Sequence, residues 1–358
     1  MVALRQGRRR EPGARDRPLA RPAGGGARRA GSHAAERGRR APRGRRADGS
    51  ALQGDGDLKL SIVIPSWNTR ELLRACLASL ARADLPEHET IVIDNASADG
   101  SADMVERDFP AVVLQRNARN EGFAIGCNQG LRRASGAYQF LLNADTEVAP
   151  DALRRMLEFL DAHPQHAAVA PRLVSSDGST QRTCLAFPNL WTPLCFGGPL
   201  ERWFPRNFEL RRYFLRDWDQ ASSRDVDQPP AAALLVRKTA LEQVGLFDEQ
   251  LWLFYNDVDL SKRLWAAGWR THYLAEATVL HHIGASTRQF GNFLPEWHKN
   301  RLHYFRKHHG RLAGAWVKAC TGLAALDWSA VMLWRRLRGR PAEPIAPLWS
   351  KYWSYARL

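Results

Sequence analysis

The residues able to do chemistry stand at recurring places in this sequence. Short polar clusters follow apolar runs: Ser66-Trp67-Asn68 after Leu60–Pro65, Asp94-Asn95 after Thr90–Ile93, and Asn143-Ala144-Asp145 after Tyr138–Leu142. Further on, Asn256-Asp257-Val258-Asp259 opens a helical pattern, and His281-His282 ends an apolar one. Carboxylates, amides and imidazoles can take a proton, bind a ligand's donors or hold a cation. Two acids two positions apart on a helix point about 200° apart, so only one of Asp257 and Asp259 faces any one site. Asp94 leaves an apolar strand, and Ser97 can supply the following turn, which favours a ligand contact over an Asx-turn in Asp94-Asn95-Ala96-Ser97. Gly122 and Gly126 admit close backbone approach, of a ligand or of a packed neighbour.

These groups need elements to position them. Leu60–Pro65, Thr90–Ile93, Val112–Gln115 and Tyr138–Leu142 read as buried strands. Helical patterns lie between and after them: Arg70–Arg82, Asp99 to about Asp108, Gly122–Ala134 and Asp151–Ala162, the last with Pro150 just before it. Such alternation predicts an α/β fold with a mostly parallel sheet. Ligands of such sheets bind beyond the carboxyl ends of the strands, where the polar clusters stand. From about Val174 to Asp227 the pattern is irregular and rich in Trp, Phe and Pro. A strand over Ala231–Arg237, a helix over Lys238–Val244, a helix over Asn256–Ala267 and a strand over Arg270–Leu274 follow.

Composition narrows the class. The 358 residues are 44% hydrophobic and 25% charged, which excludes a mainly disordered chain, a collagen-like fibre and a polytopic membrane protein. The net charge of +15 is uneven: residues 1–57 hold 15 Arg against 6 acids, residues 296–358 hold 12 Lys/Arg against 3 acids, and 58–295 are left at −3. A nucleic-acid binder should carry its basic patch on the folded part, so the basic ends are expected to meet a membrane surface or no partner, and no nucleic acid is expected. The five cysteines are scattered, without C-x-x-C spacing, and read as reduced thiols of a cytoplasmic protein.

Residues 1–57 hold almost no large apolar side chains and are expected to stay disordered. No apolar stretch follows their charges, so no secretory signal is expected, and a translation start near Leu52–Leu60 would account for the segment. Six of the 13 Trp lie in 297–358. Leu312–Trp334 is apolar apart from Lys318, Asp327 and small polar residues, with Arg335-Arg336 after it, a pattern of an interfacial helix rather than a spanning one. His298–His309 reads as a solvated basic helix.

Seven segments in order resemble inverting glycosyltransferases of family 2 with a GT-A fold, in particular bacterial rhamnosyltransferase-like members. They are SIVIPSWN at 61–68, IVIDNASADGS at 91–101, RNEGFAIGCNQGL at 119–131, FLLNADTEV at 140–148, LLVRKTALEQVGLFDE at 234–249, FYNDVDLSKRLWAAGWR at 254–270 and VLHHIGAS at 279–286. The resemblance implies a GT-A domain over 58–295, a helical C-terminal region over 296–358, and transfer of a sugar from a nucleotide-diphospho-sugar to a hydroxyl. It implies nucleotide-sugar contacts from Pro65, Trp67, Asn68, Asp94, Asn120, Gly122, Asn128 and Asn143. It implies Asp257 as the base that takes the acceptor's proton, and Asp145 with His281 as ligands of Mg²⁺ or Mn²⁺. Asn143-Ala144-Asp145 departs from the family's Asp-x-Asp by keeping one carboxylate, and Asn256 stands where the family often has Glu. The implied donor is deoxythymidine-diphospho-rhamnose, and the implied acceptor a cell-envelope glycan or lipid-linked saccharide. The expected location is cytoplasmic, peripheral on the inner face of the membrane. A sugar-nucleotide pyrophosphorylase would need a Gly-rich loop where Pro65-Ser66-Trp67-Asn68 stands. The remaining alternative is a non-catalytic membrane-associated protein with a retained transferase fold; Asp145 and Asp257 argue against it.

Overall fold

The computed structural model of the protein describes residues 59–282 and 294–358. The Arg-rich segment 1–57 and the Ile283–Ser286 end of the last family-like segment lie outside the described residues.

Nine strands form one sheet in the order β3-β2-β1-β4-β8-β6-β9-β5, with β7 on β9. They are β1 (Leu60–Ser66), β2 (His88–Asp94), β3 (Val113–Arg116), β4 (Tyr138–Leu142), β5 (Thr146–Val148), β6 (His166–Val174), β7 (Arg224–Asp225), β8 (Ala233–Arg237) and β9 (Arg270–His281). β1 pairs in parallel with β2 and β4, β2 with β3, and β6 with β9; β8, β5 and β7 run against them. The expected mostly parallel α/β sheet is what the chain forms.

Side chains alternate between the two faces of the sheet. Ile62, Ile64, Val92, Phe140 and Leu142 pack under α1 (Arg70–Ala81), α2 (Ser101–Asp108) and α4 (Ala152–Ala162). Val63, Ile91, Ile93 and Leu141 pack under α3 (Phe123–Arg133), α8 (Lys238–Val244) and α9 (Asn256–Ala266). Cys76 is buried in the first of these layers, as its place on the apolar face of its helix predicts, and all five cysteines are free and buried.

Several stretches differ from the sequence reading, the short β5 and β7 among them. β6 was not anticipated, because His166-Ala-Ala-Val-Ala-Pro has few β-branched residues and a proline; Pro171 is accommodated where the β6–β9 register shifts. β9 runs past Leu274 to His281 through an alanine-containing stretch of low strand propensity. Between β6 and β8 the irregular segment contains three short helices, α5 (Thr192–Cys195), α6 (Pro199–Trp203) and α7 (Phe208–Tyr213).

The C-terminal region is not a solvated basic helix at its start. In α10 (Leu294–Leu337), Trp297, Asn300, Arg301, Tyr304 and Phe305 are buried. The apolar members pack on Tyr213, Leu251, Tyr255 and Val258. Aromatic residues at helical spacing overrode the charges beside them, and Asp57–Leu358 is one compact unit. α10 breaks at Gly310, where φ is 83° and ψ 176°, and α11 (Ala346–Ala356) folds back on it. Among the described residues, no helix is long and apolar enough to cross a membrane.

Candidate active site

Strands β1, β2 and β4 end together, and the loops that follow are laced to one another. The Asn95 amide donates to Ser66 O (2.8 Å) and the Asn117 amide to Asp94 O (2.8 Å). Asn68 donates its backbone N–H to Ser97 Oγ (2.9 Å), and its Oδ1 accepts from the Ala98 amide (2.7 Å). Asn68 and Ala96 hold positive φ angles of 50° and 59°, a strained geometry of the kind that concentrates at working sites. Pro65, next to the end of β1, faces Gly126, whose missing Cβ would sit 3.4 Å from the ring. Trp67 is half-buried beside these loops.

Asp94 is buried at 3% exposure, and its two carboxylate oxygens differ. Its Oδ2 accepts from the Ser97 amide (3.0 Å), so the Asx-turn forms. Its Oδ1 is buried without a partner. A carboxylate oxygen in that state is costly, and a ligand N–H or O–H would relieve the cost.

Asn120, Gly122 and Asn128 each take part in the packing of neighbouring loops. Asn120 Oδ1 caps the Gly122 amide (2.9 Å). A Cβ on Gly122, where φ is +92°, would lie 2.2 Å from Trp252 Nε1. What this glycine admits is therefore an indole, and Trp252 O in turn accepts from the Phe123 amide (2.9 Å). Asn128 donates to Phe247 O (2.9 Å) and Glu249 Oε1 (3.0 Å) and accepts from the Phe247 amide (3.0 Å). Both of its N–H groups are used, so it straps the 247–252 loop in place. The family resemblance marks these residues as neighbours of the nucleotide-sugar but does not separate a contact from a support.

The turn after β4 carries Asn143 and Asp145. The Asn143 amide donates to Ala232 O (2.8 Å), and Asp145 is buried at 5% exposure. β5 pairs Thr146 with His281 on β9, and this register sets Asp145 Oδ1 3.6 Å from His281 Nε2. That separation is too long for a hydrogen bond, but two ligands of one ion with bonds of about 2.1 Å stand roughly 3–4 Å apart. Gln181, buried at 2% exposure, contacts His281 Nδ1 through Oε1 (2.9 Å) and donates to His281 O (2.7 Å). With Nδ1–H given to Gln181, Nε2 presents its lone pair toward Asp145, the arrangement that metal-binding histidines use. The donor set fits a divalent cation. Gln181 was missed because a lone Gln in an irregular stretch carries no spacing signal.

Helix α9 begins after Tyr255, at φ 65°, and divides its two acids as their spacing requires. Asp259 faces away, fully buried, toward Arg263 Nε (2.9 Å), Lys307 Nζ (2.8 Å) and His308 Nε2 (2.7 Å). Burial would raise its carboxyl, but these partners hold it at about 2. Asp257 has no cation among its determinants: burial pushes it up to about 6, against the backbone N–H groups of Val258 and Ala231. Asn256 uses its own amide on the turn, donating to Leu253 O (3.1 Å). Residues 231–233 join the parts: the Ala231 N–H is among the groups that lower the Asp257 carboxyl, Ala232 O accepts from the Asn143 amide, and Ala233 pairs with Leu142. The two carboxyls of this helix thus diverge, Asp257 raised to about 6 and Asp259 held at about 2.

Part of this chain matches a known family. The model of "Glycosyl transferase family 2" matches residues 61–229. An N-acetylglucosaminyl-diphospho-decaprenol L-rhamnosyltransferase of Mycobacterium tuberculosis is 29% identical over 265 residues, 70% of this chain and 85% of that protein. An uncharacterised glycosyltransferase of Bacillus subtilis is 36% identical over 105 residues, 28% of this chain and 26% of that one. Among solved structures, a mannosyltransferase of Pyrobaculum calidifontis with GDP-Man and Mn²⁺ aligns at 18% identity and a TM-score of 0.49, over 85% of this chain and 82% of that one.

Proposed function

This chain belongs to glycosyl transferase family 2, and from that premise we propose that it transfers rhamnose, with inversion, from a nucleotide-diphospho-sugar to a hydroxyl of a lipid-linked or cell-envelope glycan. The observation that carries the reading is the convergence of a raised Asp257 and the Asp145–His281 pair around residues 231–233. Rhamnose and the lipid-linked acceptor are supported by the name of the mycobacterial relative.

In the reaction, Asp257 accepts the acceptor's hydroxyl proton as that oxygen bonds the anomeric carbon. The bond from that carbon to the diphosphate breaks, and a nucleoside diphosphate leaves. With a value near 6, Asp257 is mostly ionised at neutral pH and still basic enough to share the proton in the transition state. Asp94 Oδ1 binds the base or ribose, and the laced loops of Asn68 and Ser97 fix its aim. Asp145 and His281 would hold Mg²⁺ or Mn²⁺, which supplies positive charge to the departing diphosphate. Release of nucleoside diphosphate from a panel of donors, with and without Mn²⁺, tests the reading. Turnover of deoxythymidine-diphospho-rhamnose, stimulated by the ion, is the expected result; no release from any donor in the presence of acceptor lipid would overturn it.

A membrane surface completes the set of partners. Trp191, Trp203, Phe204 and Phe208 are each more than half exposed. Trp316 Nε1 donates to Leu190 O (2.7 Å), and Arg202 pairs with Asp327, so the short helices and the second half of α10 share one apolar face. Arg338 and Arg340 lie over the Trp334 ring. Exposed aromatics beside arginines suit an anionic interface. Vesicles containing anionic lipid should sediment the protein, and Trp203→Ser with Phe208→Ser should release most of it; equal sedimentation by the double variant would remove this face from the account.

A further inference from the structure

At the opposite end of the sheet, three strands bring together side chains that the transfer reaction does not use. His166 opens β6, His272 lies near the start of β9, and Asp225 belongs to the two-residue β7. Both His166 Nε2 (2.9 Å) and His272 Nδ1 (2.7 Å) approach the same oxygen, Asp225 Oδ1. The three ligand-type atoms all lie within 4.8 Å of one another. His281 is at the far end of β9, so roughly 30 Å of strand separates this cluster from the Asp145 turn.

We propose that His166, His272 and Asp225 form a zinc site that fastens the 175–232 segment to the sheet. Two imidazoles and one carboxylate are a zinc set, with a solvent molecule as fourth ligand. Asp225, with 45% of its side chain exposed, leaves that position open. The rings are already fixed: Phe159 stacks on His272 and on His163 at 4.2 Å, and meets His166 edge-on at 5.1 Å. His166 is buried, and its Nδ1 has no partner. Without an ion, Nε2 carries the ring proton and donates it to Asp225 Oδ1; a cation bound at Nε2 would take that place, with the proton moved to Nδ1. Tetrahedral zinc keeps its ligand atoms about 3.3 Å apart. The carboxylate must draw back by about half an ångström from its present contacts, and Asp225 is the member on the shortest strand and the most exposed. Asp225 pairs directly with His272 across β7 and β9. An ion there would tie β7, and with it the segment carrying α5 to α7, to the two strands beneath.

The test uses the tag-free full-length chain carrying Asp145→Ala, so that the Asp145–His281 pair does not compete. Zinc is titrated against a chromophoric chelator, with melting temperature followed in parallel. One zinc per chain at submicromolar affinity, a rise in melting temperature and a loss of at least about a hundredfold in affinity on adding Asp225→Asn or His272→Ala are expected. Asp225→Asn keeps the side-chain shape at a half-exposed position and serves where His272→Ala fails to fold. Cobalt should give the intense visible bands of a tetrahedral site in the chain without further substitution. Absence of zinc binding, binding unchanged by either substitution, or an octahedral cobalt spectrum would show a hydrogen-bonded His–Asp–His clasp instead and overturn the proposal.

Discussion

Asp257→Asn should lose about 10²–10⁴-fold in turnover and yet melt at a higher temperature than the unsubstituted protein. The amide oxygen can still accept from the Val258 and Ala231 amides, so the turn and donor binding should survive. It cannot take a proton. The stability gain follows from the raised carboxyl. Its folded value, about 6, lies above its ordinary 3.8, so between those values the folded chain holds a proton that the unfolded chain has lost. Its contribution to stability is complete below the unfolded value and disappears as pH rises through about 6. At neutral pH, keeping the acid ionised in that environment costs about 3 kcal/mol at most, a cost the amide avoids. The kinetic counterpart is a fall in turnover on the acid side of pH 6, which the variant should lack. A variant with near-normal turnover, or one that melts lower while its donor affinity collapses, would remove Asp257 from the role of base.

The second large effect concerns the cation. With one carboxylate and one imidazole, the free protein should bind Mn²⁺ weakly, and nucleoside diphosphate should tighten that binding by supplying further oxygens. By linkage the ion must tighten the nucleotide by the same factor. Asp145→Ala should abolish the coupling. His281→Ala should weaken it less, because a neutral ring contributes no charge, and Gln181→Ala should cost on the order of tenfold by releasing that ring. Titration of Mn²⁺ by electron paramagnetic resonance, with and without nucleoside diphosphate, reads all three. Coupling that persists in Asp145→Ala would place the ion on other residues and assign the 3.6 Å approach to packing alone.

Much of this was legible in the sequence because its strongest signals are local. Apolar runs ending in Asp94 and Asn143 announced both the strands and the polar ends they present. The two-residue spacing of Asp257 and Asp259 required them to part, and the structure adds what each meets. What spacing could not show was long-range. Gln181 acts through His281, a hundred positions away, and Asn128 is committed to Phe247 by a loop that only the folded chain closes. β6 was hidden because burial on both sides, not propensity, makes an alanine-rich strand. Arg301 reads as a surface charge in sequence, yet it is buried, donating to Pro193 O (3.0 Å) with its guanidinium over the Trp297 ring.

The break at Gly310 makes the C-terminal helix a bent lever. Its near arm holds the back of α9, through Lys307 and His308 on Asp259. Its far arm, residues 311–337, is about 40 Å long and carries Trp316, Trp328 and Trp334. Space does not forbid a side chain at the bend, since a Cβ would meet nothing within 4 Å. The backbone does, because φ 83° with ψ 176° belongs to glycine alone. The direction of the whole far arm is thus set by two torsions of one residue. A straightened helix would swing its tryptophans away from Leu190 and Trp203 and split one apolar face into two, while leaving every residue of the reaction where it stands.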